Sequence, residues 1–448
     1  MIDHSSNPGT AGTFPQRNWA GNITFGARQL RTPVTVAELQ SIVAAGSAVR
    51  ALGTGHSFNT VADTDGDLIS VAGLPRSIEI DSKAGTATVS AGLRFGELTE
   101  TLHRSGFALH NLGSLPHISV AGACATGTHG SGVGNRSLAG AVRALELVTA
   151  DGTMVTLRRG DPEFAGAVVS LGALGIVTRV TLDLVPAFDI QQWVYEGLPQ
   201  EQLLGRFDEV MAEAYSVSLF TRWRDGPIDQ VWLKQRVTGD GPCAAAPPQW
   251  LGATLADGPR HPVPGMPAKH CTPQQGDPGP WHARLPHFRL EFTPSNGEEL
   301  QSEYFVARQD AVAAYEALDR IRERIAPLLQ IAEIRTVAAD DLWLSPAQGT
   351  DSVAFHFTWV PDTAAVTPVL AAIEEALAPF GARPHWGKVF TTPPGTLRTL
   401  YSHYADFERL AHRFDPTGTF RNEFLAHHFP RTGNGNGNGN GNGGAEAG

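Results

Sequence analysis

Cysteine is scarce in this chain. Its three cysteines, Cys124, Cys243 and Cys271, form no CxxC pair. That removes a cysteine-based metal ribbon and makes a disulfide framework a poor expectation. Three free thiols is the favoured reading; a Cys243–Cys271 pair stays open for an oxidising compartment. Positive charge is also short, with 34 Lys+Arg against 45 Asp+Glu and a net charge of −11. No basic run with interleaved aromatics offsets this, so a nucleic-acid partner is not expected. No run approaches the roughly 20 apolar residues that span a bilayer. The first residues, MIDHSSNPGTAGTFPQRNW, lack the basic start and apolar stretch of a signal peptide. A cytoplasmic protein without a membrane partner, and a monomer, is the expectation. The last residues, TGNGNGNGNGNGGAEAG, have nothing to bury, and 432–448 is expected to be a disordered tail.

What the chain does have is glycine, 49 residues of it, and alternating short patterns. TPVTVAELQSIVAAG carries Val36, Leu39, Ile42 and Val43 at helical spacing, and Gly46 is a natural stop. AVRAL reads as a buried strand. SIEIDSKAGTATVSAG and ALELVTADGTMVTLRRG read as hairpins, the second turning at Asp151-Gly152. RFGELTETLHRSG reads as a helix. Short strands and helices in alternation make residues 1–187 a mixed α+β domain. The texture changes after Pro186. Residues 237–287 include proline-rich loops expected to cover a surface. EYFVARQDAVAAYEALDRIRERI reads as a strand into a long amphipathic helix. IAEIRTVAA and SVAFHFTWV alternate as strands, and AVTPVLAAIEEALAPFG as a second helix. Residues 188–388 are thus a second α+β domain, an antiparallel sheet with helices on one face.

Two stretches concentrate the glycine: LGTGHSFN at 52–59 and LGSLPHISVAGACATGTHGSG at 112–132. Backbone N–H groups in such loops can surround a phosphate, and nearby hydroxyls add donors. Neither stretch fits GxGxxG between a strand and a helix, nor GxxxxGK[ST], so Rossmann and Walker readings fail. A nucleotide with a pyrophosphate, held by two separate loops, remains. These two stretches resemble the flavin-binding loops of the vanillyl-alcohol oxidase family. NWAGN, IAEIRTV, FHFTW, RPHWGK and DPTGTFRNEFL then resemble its sugar-alcohol (alditol) oxidases, the likeness covering about residues 15–430. Seven motifs in order are far more specific than one.

The resemblance implies a two-domain flavoprotein. FAD would lie in 1–187, a substrate domain in 188–388 would roof it, and 389–431 would return to the FAD domain. It implies a covalent bond from His56 to the flavin. Around the cofactor it implies Gly53, Thr54, Gly55, Ser57, Ser114, His117, Gly122, Thr126, Gly127, Thr128, Gly130, Ser131, Gly132 and Ile176. It implies that Arg335 and Lys388 polarise the reacting hydroxyl, that His356 assists proton transfer, and that Ser114, Glu333 and Thr358 grip the other hydroxyls. The residues agree with part of this on their own. Glu333 and Arg335 are two apart on a strand and share a face, as do His356 and Thr358. A polyol needs many partners, because each unpaired buried polar group costs about 1–3 kcal/mol. Gly113, beside Ser114, would leave room for O₂. Taken singly, each residue has a plainer reading: a cross-strand ion pair, a core histidine, a solvated lysine. His117, His129 and His385 lack metal-ligand spacing, and no metal is expected. The implied reaction takes a polyol such as xylitol or sorbitol and O₂ to an aldose and hydrogen peroxide. The alternatives are an aldonolactone oxidase or dehydrogenase of the same superfamily, and a non-catalytic carbohydrate-binding protein.

Overall fold

The computed structural model describes residues 17–237, 246–291 and 298–430; the expected tail at 432–448 and Cys243 lie outside them. The helix read from AELQSIV forms as Val36–Ala45. Thr35 caps it, its side chain accepting the Glu38 N–H, while Glu38 accepts the Val34 N–H in return. Leu39 and Val43 are its buried residues. The AVRAL strand is Val49–Ala51, parallel to Asp67–Ile69, which also pairs with Gln29–Arg31. Both hairpins form, as Ile78–Asp81 with Thr86–Ser90 and as Val142–Val148 with Met154–Arg158, and the strand Ile176–Asp183 joins them into one five-stranded antiparallel sheet. Buried apolar residues from this sheet and from the helix Phe95–Arg104 share a core with Leu397, Tyr401, Phe407 and Phe429 near the far end of the chain.

A ten-stranded antiparallel sheet begins at Asp189. Three of its strands lie side by side: Leu300–Ala307, Ser352–Trp359 in the middle, and Leu329–Val337. Alternation splits their side chains between two faces. Tyr304, Val306, Phe355, Phe357, Trp359, Ala332 and Ile334 pack on the helices Ala311–Asp319 and Thr363–Leu377. Together with the turn Ala378–Phe380, the latter is long and apolar enough to cross a membrane by composition, yet its Val366, Leu370, Ile373 and Leu377 are buried in this core. The opposite face carries Glu303, His356, Thr358, Glu333 and Arg335. The expected single helix after Ala307 is broken: Ala311–Asp319 ends, and Arg322–Ile325 follows after a kink at Ile321. No proline causes the break; the Arg324 N–H turns back to the Ile321 carbonyl in a tighter turn.

Candidate active site

The GTGHSFN loop leaves its strand and enters a cavity of about 720 Å³. A Cβ at Gly53 would lie 2.5 Å from the Ser119 hydroxyl, which would have to turn away to admit it. Gly55 has φ +68°, the left-handed region that glycine tolerates. The motif NWAGN buttresses the loop from outside. Asn18 Nδ2 donates to the Ser57 carbonyl, the Trp19 N–H to the Gly55 carbonyl, and the Trp19 ring stacks on His56 at 5.1 Å. HWGK clasps it from the other side: the Phe58 N–H donates to the Gly387 carbonyl, and Asn59 Nδ2 to the Trp386 and Lys388 carbonyls. The loop is therefore tied to the segment that carries Lys388. Burial, then the charge of His117, lowers the His56 ring to about 4, so it is neutral near pH 7. Nδ1 lies 3.0 Å from the Thr54 hydroxyl.

At the sheet end of the cavity, register assembles the charged groups. Glu303, His356 and Glu333 are direct neighbours across the three strands. Glu303 is fully buried and holds Arg335 Nη2 at 2.6 Å and Lys388 Nζ at 2.7 Å, with His129 Nε2 at 3.2 Å. Burial alone would raise its carboxyl; Lys388, His129 and Arg335 outweigh that and hold it well below the usual range. Burial would also raise Glu333, but Arg335 and His287 keep it ionised. Lys388 Nζ also reaches His356 Nδ1 at 2.7 Å, and His356 Nε2 faces the Thr358 hydroxyl at 3.1 Å. An ammonium only donates, so Nδ1 accepts and Nε2 carries the hydrogen. Burial and the Lys388 charge lower His356 well below its ordinary range, which keeps it neutral. Arg335 Nη1 reaches the Ser114 hydroxyl at 3.4 Å.

Most of the expected residues meet here. His56, Gly53, Thr54, Gly55, Ser57, Ser114, Gly122, Thr126, Thr128, Glu333, Arg335, His356, Thr358 and Lys388 all line the one cavity. A Cβ at Gly113 would find its nearest atoms at 3.6 Å or beyond, in ordinary contact. Six expected cofactor residues do not line the cavity. The His117 side chain turns to the Leu290 carbonyl, 2.8 Å from Nε2. Gly127 turns the chain against Pro346, and Gly130 packs on Asn111. Ser131 donates to the Val217 carbonyl, and Gly132 donates its N–H to Thr336. These last two stitch the second loop to the large sheet. Ile176 is in the apolar core with Leu39, Val43 and Phe420, although its neighbours Gly175 and Val177 reach the cavity. The proline-rich segment does more than cover a surface, because His261, Pro262, Val263, Met266 and Pro267 line the cavity.

The cavity suits a dinucleotide such as FAD. Among the described residues, no N–H of Gly53, Thr54, Gly55, His56 or Ser57 has a protein acceptor. Such consecutive donors in a glycine loop fit a pyrophosphate. Apolar side chains of Phe25, Val61, Ala91, Leu145, Val168 and Val177 also line the cavity.

Comparison with known proteins agrees. An FAD binding domain model matches residues 27–158, and a D-arabinono-1,4-lactone oxidase model matches residues 298–428. Alditol oxidase of Streptomyces sp. (strain IKD472 / FERM P-14339) is 53% identical over 411 residues, covering 91% of this chain and 97% of that protein. L-gulono-1,4-lactone dehydrogenase of Mycobacterium tuberculosis is 30% identical over 428 residues, with the same coverage of 91% and 97%. Among solved structures, cholesterol oxidase from B. sterolicum superposes with a TM-score of 0.75 at 16% identity, covering 92% of this chain and 96% of that one. Chitooligosaccharide oxidase gives 0.69 at 14% identity, covering 91% and 93%. At those identities the two structures speak for the fold alone.

Proposed function

Because the chain belongs to the vanillyl-alcohol-oxidase-type FAD flavoproteins, in the branch that includes alditol oxidase, we propose that it oxidises the terminal hydroxyl of an alditol such as xylitol or sorbitol to the aldose, with O₂ reduced to hydrogen peroxide. The observation that carries this reading is the shared cavity. It joins the GTGHSFN loop to two cations, two carboxylates and two hydroxyls gathered over one sheet face, Lys388 and Ser114 reaching in from loops. FAD, when bound, supplies the acceptor for the hydride that leaves the carbinol carbon. Arg335 and Lys388 stabilise the negative charge that develops on the hydroxyl oxygen, in a buried setting where such charge is poorly screened. Lys388 spends one hydrogen on Glu303 and one on His356, leaving a third for that oxygen. The hydroxyl proton is passed toward the neutral His356 through the Lys388 contact. Glu333 accepts from distal hydroxyls, and Ser114 and Thr358 offer donor–acceptor pairs.

Purified protein incubated with xylitol, sorbitol and a panel of 1,4-lactones separates this reading from its rival. Peroxide formed with the polyols is the expected result. Turnover of lactones alone would transfer the assignment to the lactone branch, which the match at 298–428 keeps in view. The neutral His56 in the flavin loop further supports covalent attachment. Acid precipitation should then leave the yellow colour in the pellet, and His56→Ala should release it to the supernatant. Colour in the wild-type supernatant would reduce His56 to a binding residue.

A further inference from the structure

Beside Glu333 runs a row of buried polar groups that the reaction as described does not use, and one of them, His287, also lines the cavity. Lys234 is 1% exposed, on the strand Ile228–Arg236, two strands from Glu333. Its Nζ donates to the Leu285 and Pro286 carbonyls and lies 3.1 Å from His287 Nδ1. His287 Nε2 lies 2.8 Å from Glu333 Oε1. The His287 backbone N–H donates to the Ser114 carbonyl at 3.1 Å. One residue thus contacts both Ser114 and Glu333, from a segment that belongs to neither. Phe220 and Trp232 close on its ring edge-on at 5.6 and 5.2 Å, fixing the ring plane.

The proton positions follow from the partners. With the ammonium on Lys234, His287 Nδ1 must accept, so Nε2 carries hydrogen and donates to Glu333. With the proton moved across to His287, Nε2 still donates. Either way Glu333 receives an N–H on Oε1 and keeps Oε2 for other partners. Burial lowers Lys234 to about 7, and burial with the Lys234 charge lowers His287 to about 4, so the ring stays neutral near pH 7 whether or not Lys234 holds its proton. The ionised Glu333 only accepts, which keeps the hydrogen on Nε2 in both states.

We infer that His287, fixed by Lys234, is a positioning residue that aims the Glu333 carboxylate at the hydroxyls of the substrate and ties it to the Ser114 loop. This rests on the proposed alditol oxidation for its substrate, but its geometry is independent of that reading. A histidine-held carboxylate keeps one orientation, so its effect belongs in substrate affinity more than in the chemical step.

A double-mutant cycle with xylitol tests it. His287→Leu should raise KM about tenfold, the size of one lost hydrogen bond, with a smaller change in kcat. His287→Gln, which can accept from Lys234 and donate to Glu333, should recover most of the loss. In a Glu333→Gln background, His287→Leu should cost less than about twofold, because the two act as a unit. Equal cost in both backgrounds would overturn the inference. The ¹⁵N signals of the His287 ring in the wild-type protein give a readout that needs no turnover. A neutral ring protonated at Nε2 is expected, and an Nδ1-protonated neutral ring would overturn the assignment. If the wild-type protein oxidises no polyol while the ring shows the Nε2–H form, the substrate reading fails and the positioning geometry stands.

Discussion

Glu303 binds Arg335, Lys388 and His129 with two oxygens, and it has no exposure to water. Removing its charge leaves two buried cations short of a counterion. Loss of one partner from a buried pair costs about 3–5 kcal/mol. Glu303→Gln should therefore destabilise the protein by an amount of that order, read as a lower denaturant midpoint, and depress kcat/KM for polyol. A variant with wild-type stability would show that the carboxylate is not needed to hold the pair. Gly113→Val is expected to act on oxygen only. The open contacts at Gly113 should become filled, raising the KM for O₂ and leaving the KM for polyol near its original value. An unchanged oxygen dependence would contradict that role. The histidines show how residue-scale reading divides. That His356 and Thr358 share a face was legible from the two-residue alternation of FHFTW, and their roles only from the resemblance. His287 and His129 were not, because their partners are Lys234, Glu333 and Glu303, far away in sequence.

At the scale of elements, register builds the site. Glu303, His356 and Glu333 form one row because three antiparallel strands align at those residues. IAEIRTV and FHFTW announced two of these strands, since apolar residues alternate with polar ones. The third, QSEYFVA, runs three polar residues into four apolar ones without alternation, so nothing local says which face Glu303 takes or which strand it meets. That is decided by pairing, and pairing is long-range. The same limit explains the second glycine stretch. Its early part lines the cavity, while Ser131 and Gly132 join it to the sheet through Val217 and Thr336. Composition is alike in both parts. The hold of the last helix on the segment after the first glycine loop gives a test at this scale. Asn422, just before the helix Glu423–His428, donates to the carbonyls of Thr60, Val61 and Asp63. Asn422→Ala should cost about 1–3 kcal/mol and loosen the FAD loop, seen as faster amide exchange at 53–63. Unchanged exchange there would show that the segment docks without supporting the loop.

For the molecule as a whole, buried neutral histidines set the acid limit. Burial lowers His56, His282, His287 and His428 from the ordinary 6.5 to about 4. In the unfolded chain these rings take up protons near pH 6.5, and in the folded one only near 4. Protons in that interval favour unfolding. Their contribution to stability is complete above about pH 6.5 and is lost as pH falls toward 4. Glu303 and Glu333, held ionised when folded, add their own loss below their ordinary 4.5. Tm should fall steadily from pH 6.5 to 4, and a flat Tm across that range would refute the linkage. The fold class and the joining of flavin loops to a polar sheet face were legible because seven motifs occur in order; the depth of the charge network was not, because burial is a property of the packed molecule. The central claim is that this network and the glycine loop serve one reaction on alditols. The most direct measurement is to mix the yellow protein with xylitol or sorbitol without oxygen and follow the visible absorbance. The account predicts rapid bleaching, stoichiometric aldose, and return of colour when air is admitted. Colour that persists with every alditol and bleaches only with a lactone would contradict it.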